Sequence, residues 1–127
     1  MVYFAIALGG ALGAVARYSI STYMGKLAGA GFPFGTLAVN VLGSFLMGFC
    51  AVLIVEHLKM PGYWREFVMI GFLGALTTFS TFSLDGLNLL QNGQINTAIL
   101  YFVISVVGSV LACVAGWYLT KIILFGN

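Results

Sequence analysis

One stretch combines polar and aromatic side chains where few would be expected: Gly71-Phe72-Leu73-Gly74-Ala75-Leu76-Thr77-Thr78-Phe79-Ser80-Thr81-Phe82-Ser83. The surrounding segment is apolar enough to enter a membrane. Hydrocarbon offers hydroxyl and backbone groups no hydrogen-bond partners, so such a run belongs inside protein or beside a wet cavity. Each of Thr77, Thr78, Ser80, Thr81 and Ser83 could bond a carbonyl one turn back, as membrane helices often allow. Crowded together beside Gly74, they point instead to a broken helix. A break frees backbone carbonyls to coordinate a cation and exposes helix ends to ions. Phe79 and Phe82 share a face where the backbone is helical. Alone they would read as lipid or core contacts. Among hydroxyls, their positive ring edges could line a path for a small anion.

Other polar groups stand in apolar surroundings. Asn40 lies in Thr36-Leu37-Ala38-Val39-Asn40-Val41-Leu42-Gly43-Ser44, where its amide could bind helices together or donate to an anion. Tyr101, Ser105 and Ser109 follow at helical spacing and form one stripe, a potential ladder of donors. Gly108 beside it would allow close approach. Arg17 could snorkel to the interface, cap carbonyls at a helix end, or line an entry vestibule for anions. Asp85, the only carboxylate inside a span, could be solvated near that span's end, bonded to Thr36, or coupled to protons. Glu56, Glu66 and His57 fall near the membrane surface.

No combination here suggests covalent chemistry. There is no Ser-His-Asp set at depth, no phosphate-binding glycine loop and no carboxylate pair placed for acid–base work. Cys50 and Cys113 lie in apolar runs and read as small buried hydrophobes. With a single histidine, His57, they make no zinc-type ligand set.

The elements that position these groups follow from composition. The 127 residues are 61% hydrophobic and 6% charged, against about 25% charged in soluble domains. So few charges cannot cover a water-facing surface, and the chain reads as an all-α integral membrane protein. Its length allows about four spans of ~20 apolar residues. They are expected at about 2–23, 35–55, 64–90 and 96–124 in one transmembrane domain, the third broken near its middle. Gly25 to Phe34, Glu56 to Gly62 and Gln91 to Gln94 supply the connections. No Lys or Arg precedes Arg17, so the first segment reads as a retained span rather than a cleaved signal. A net charge of +2, from scattered residues, argues against a nucleic-acid partner.

Lys59, Arg65 and Lys121 fall on one side of the membrane, Lys26 and in one reading Arg17 on the other. This weak bias favours inside termini, and a chain inserting both ways would also show it. Gly9 and Gly13, and Ser44 and Gly48, have the spacing of close helix contacts, within a chain or between chains. Four short spans enclose little interior, so a pathway would form most easily with a second copy. A proton-coupled small multidrug exporter, also a short four-span dimer, would need a carboxylate in the first span, and there is none. A non-transporting packing subunit would explain the small residues, but not the hydroxyl cluster together with Asn40.

The stretches Gly9-Gly10 through Arg17-Tyr18, Gly35 through Phe45 and Gly71 through Phe82 resemble the signature segments of the Fluc, or CrcB, fluoride channels. The resemblance covers essentially the whole chain. It implies passive, selective export of fluoride across the cytoplasmic (inner) membrane by an antiparallel, dual-topology homodimer with two pores. By that resemblance Asn40, Phe79, Phe82, Thr81, Tyr101, Ser105 and Ser109 form the fluoride pathway. Thr36 and Asp85 stand near one pore end, and Arg17 matches the family's arginine in the first span. A structural Na+ at the dimer centre would be held by backbone carbonyls of Gly74 and Thr77. Fluoride holds its water strongly, so a pore must replace that shell with donors and positive ring edges, and must still release the ion. The central cation would offset part of the cost of bringing anions into lipid.

Overall fold

The computed structural model describes Met1–Gly126. Four helical spans succeed one another: Val2–Ala28, Phe34–His57, Gly62–Gln91 and Ile95–Phe125, each long and apolar enough to cross a membrane. The first and last extend beyond the expected 2–23 and 96–124, because nothing at either boundary stops a helix before Gly29 or Gly126. Both glycines have positive φ, 80° and 71°, which other residues rarely adopt. The turn between the third and fourth spans uses Gly93 in the same way.

Small residues decide which spans meet. The first lies along the opening half of the third, the second along the fourth. A Cβ on Gly9 would strike the Phe67 carbonyl, and one on Gly13 the Phe72 carbonyl. The spacing expected to serve contacts within or between chains thus works within this one. Likewise Gly48 faces the Cys113 carbonyl and Gly116 the Phe45 carbonyl. Gly108, expected to permit close approach, has only a Val41 methyl nearby at 3.7 Å.

Two segments wind more widely than an α-helix. Ala51–His57 ends the second span and Glu66–Leu73 lies in the opening half of the third, both as π-helix. The first closes with a five-residue bond from Leu58 N–H to the Leu53 carbonyl at 2.8 Å. Nothing in the sequence marks these wide turns, which often accompany functional sites. Beside the first, Lys121 bonds Glu56 at 3.1 Å and lies 4.4 Å from the centre of the Trp117 ring. His57 meets the Phe125 ring edge-on. Together these contacts tie the ends of the second and fourth spans. Glu66 is paired with Arg65 at 2.7 Å.

Candidate functional site: a broken span beside a polar cavity

The third span breaks at Thr77 and Thr78. Both are extended, with φ/ψ of −82°/157° and −154°/128°, and an α-helix resumes over Phe79–Gln91. The local chemistry explains where. Thr77 closes the incoming half with both N–H and Oγ1 on the Leu73 carbonyl, at 3.1 and 3.0 Å. Thr78 caps the outgoing half, its Oγ1 accepting from the Thr81 N–H at 3.2 Å. That is a standard N-cap, and threonine suits it. Gly43 of the second span leaves room for the Thr77 methyl; a Cβ there would collide with it.

Asn40 secures the break. Its Nδ2 donates to the Thr78 carbonyl at 2.9 Å, and its Oδ1 accepts the Thr78 N–H at 2.7 Å. One side chain thus satisfies both backbone groups of the most extended residue, as a neighbouring strand would. Of the two readings of Asn40, helix glue is realised here, and one Nδ2 hydrogen is left over.

This diversion frees two carbonyls. An unbroken helix would send the Thr78 N–H to Gly74 and the Thr81 N–H to Thr77. Those donors go to Asn40 and to Thr78 Oγ1 instead. Among the described residues, Gly74 and Thr77 therefore keep unclaimed carbonyl oxygens, the donor type a hard cation takes. The donor set fits sodium. Among the described residues, no group of His, Cys, Asp and Glu could hold a metal.

Arg17 turns its guanidinium to the break. Its Nε donates to the Ala75 carbonyl at 3.0 Å and its Nη1 to Thr81 Oγ1 at 3.3 Å. The carbonyl cap considered for it is present, on the Ala75 carbonyl just before the break. No carboxylate pairs with it among the described residues.

A cavity of about 410 Å³ lies against the break, lined among others by Asn40, Gly74, Thr77, Phe79, Phe82, Ser105 and Ser109. The rings of Phe79 and Phe82 are 5.3 Å apart and tilted by 47°. Phe82 is buried against Tyr101 and Phe102, whereas Phe79 is 76% exposed. Among the described residues, buried Ser105 Oγ has no partner in good hydrogen-bond geometry, which costs free energy unless something arrives to meet it.

The stripe on the fourth span divides. Ser105 and Ser109 line the larger cavity. Fully buried Tyr101 turns its hydroxyl to Asp85 Oδ2 at 3.2 Å, and Thr36 Oγ1 donates to the same oxygen at 2.6 Å. The Thr36 bond considered for Asp85 is therefore present; the role of the Tyr101 hydroxyl was not legible from spacing. Thr36 and Asp85 border a second cavity of about 300 Å³, with Ser21, Asn88, Asn92 and Gln94. The Tyr101 ring packs on Phe82 at 5.2 Å, linking the residues of the two cavities.

Four apolar spans around a broken helix, with amide, hydroxyl and aromatic groups converging on the break, define a multi-pass membrane protein with a polar site at depth. Residues 4–117 match the family model described as CrcB-like protein, Camphor Resistance. A protein of Hahella chejuensis named fluoride-specific ion channel FluC is 52% identical over 119 residues, 94% of each chain. Its namesake from Saccharophagus degradans is 53% identical over 95% of this chain and 90% of its own. The chain belongs to the CrcB/Fluc family. On that membership it is an inner-membrane protein and not an enzyme.

Proposed function

We propose that this chain is a passive, fluoride-selective channel that exports fluoride across the cytoplasmic membrane, acting as an antiparallel homodimer with two pores. The relatives' names supply the ion. The observation that carries the reading for this chain is the cavity at the break: a buried Ser105 hydroxyl, without a well-placed partner among the described residues, shares it with Asn40 and two phenylalanines. These are donors and positive ring edges without a fixed charge on the lining, the set needed to replace fluoride's water while still letting it leave.

The second copy is part of the reading. Phe79 and Gly74 are exposed in the single chain although they belong to the site. A partner would cover them and close the open side of the cavity. Sodium would sit where the freed carbonyls of Gly74 and Thr77 meet those of the partner. It would supply a central positive charge that steadies anions passing nearby.

The test is fluoride efflux from liposomes holding only this protein, with chloride as control anion. Rapid efflux of fluoride but not chloride is the expected result. Phe79→Ile and Phe82→Ile should each lower the flux about tenfold or more, since an aliphatic side chain lacks the ring's positive edge, while the protein stays folded. Two variants conducting like the parent would remove the aromatic pathway from the proposal.

A further inference from the structure

We infer that Ser44 is a further fluoride-binding residue, which carries the donors of the larger cavity one helical turn beyond Asn40. The inference rests on the channel reading above and adds a residue to it. Six polar side chains line that cavity: Asn40, Ser44, Thr77, Thr78, Ser105 and Ser109. Two are committed elsewhere. Thr77 Oγ1 donates to the Leu73 carbonyl, and Thr78 Oγ1 is engaged with Thr81 and Ser80. Asn40 keeps one Nδ2 hydrogen, because the other goes to the Thr78 carbonyl. Elsewhere in the spans, Ser19, Ser83 and Thr120 each turn the hydroxyl back to the carbonyl four residues earlier. Among the described residues, Ser44, Ser105 and Ser109 have no such well-placed bond, and their protons remain to be given.

Helix register places these donors. The second and fourth spans run parallel: Gly108 stands beside Val41, and a Cβ on Gly48 would meet Cys113 and Trp117 further along both. Ser109 therefore comes level with the interval between Asn40 and Ser44. Asn40 and Ser44 are four residues apart on one face of the second span, about 6 Å along its axis. The donors thus alternate between the two walls, and Ser44 is the last of them. It lies past Asn40 in the direction of Gly43, which packs on Thr77, and so toward the incoming half of the third span. An anion that has shed its water needs donors from more than one side. Without Ser44, only Ser109 on the opposite wall would offer one beyond Asn40. The spacing of Ser44 and Gly48, which suggests a helix contact, therefore divides. Gly48 meets the Cys113 carbonyl, whereas Ser44 is half-buried on the cavity.

The discriminating experiment compares Ser44→Ala and Ser44→Thr with the parent in liposome fluoride efflux, over a range of sodium concentrations, with thermal unfolding in detergent alongside. Alanine is as small as serine and forms helices well, so a residue serving only as a helix contact would tolerate it without loss of flux. A donor to the ion would not. Ser44→Ala should slow fluoride efflux about tenfold, the effect of one lost hydrogen bond to a charged partner, with unfolding unchanged. Ser44→Thr keeps the hydroxyl and should retain most of the flux. Parent-like efflux from Ser44→Ala would overturn the inference. So would a threonine variant as slow as alanine, which would make size the property that counts. Slow alanine efflux restored by raising sodium would assign the hydroxyl oxygen to the cation and overturn it equally. Should Ser44→Ala not fold, Ser44→Cys, close to serine in size but a weak donor, takes its place with the same expectations. A parent that moves no fluoride would sink the channel reading and this inference with it. Where the parent conducts, the comparison bears on Ser44 alone.

Discussion

At the scale of residues, Asn40 matters for what it pairs rather than for where it lies. Removing it leaves a Thr78 N–H and carbonyl without partners inside an apolar span. Asn40→Ala should therefore lower stability by about 1–3 kcal/mol, the usual cost of an orphaned buried polar group. Asn40→Asp could still accept the Thr78 N–H but, ionised, would turn a charged oxygen toward the Thr78 carbonyl, and should be at least as destabilising as alanine. Thermal unfolding in detergent would check both, and an alanine variant as stable as the parent would show that Asn40 does not hold the break. The identities of the polar residues were legible in the sequence, since hydroxyls and an amide are conspicuous among apolar neighbours. Their partners were not. Periodicity assigns Tyr101, Ser105 and Ser109 to one face, yet cannot tell that Tyr101 turns to Asp85 while Ser105 faces a cavity. Arg17 is the sharpest case: its place near the end of the first span suggests the interface, but its partners come from a span 58 and 64 residues away.

At the scale of elements, glycine contacts divide into those that set the helix spacing and those that do not. Gly116 brings the fourth span so close that any Cβ would meet the Phe45 carbonyl, which belongs to backbone and cannot swing aside. Gly108 has an ordinary contact with a Val41 methyl at 3.7 Å. Gly116→Ala should cost about 1–3 kcal/mol as the helices separate, while Gly108→Ala should leave the fold unchanged. Resistance to denaturation by detergent distinguishes them. Equal tolerance would show that close approach at Gly116 is not required. The break itself could be anticipated, because hydroxyls cluster beside Gly74. Its placement at Thr77 and Thr78 depends on Gly43 and Asn40 in another span, which no local pattern contains. The π-helical turns were wholly hidden, since a wider turn changes hydrogen-bond register without demanding particular side chains.

At the scale of the whole molecule, the four spans were visible in composition alone, because a chain with 6% charged residues can have no extensive aqueous surface. The second copy belongs to the proposal and has its own test. Asn92 lies exposed in the turn between the third and fourth spans. If copies insert both ways, Asn92→Cys should be labelled to about one half by an impermeant thiol reagent, the remainder reacting only after the membrane is opened. Cys50 and Cys113 sit within spans and do not compete. Complete labelling or complete protection would rule out the antiparallel assembly.

The Asn40–Thr78 pairing also bears on how the protein is made. Thr78 carries an N–H and a carbonyl that its own helix does not satisfy, so a third span entering lipid alone would carry them unpaired, at several kcal/mol per group. The second span is synthesised first, and Asn40 is then already present to receive both. The order of the chain places the amide ahead of the vulnerable segment. Biogenesis should accordingly run through a paired second and third span leaving the insertion machinery together, with the earlier helix escorting the later one into the bilayer.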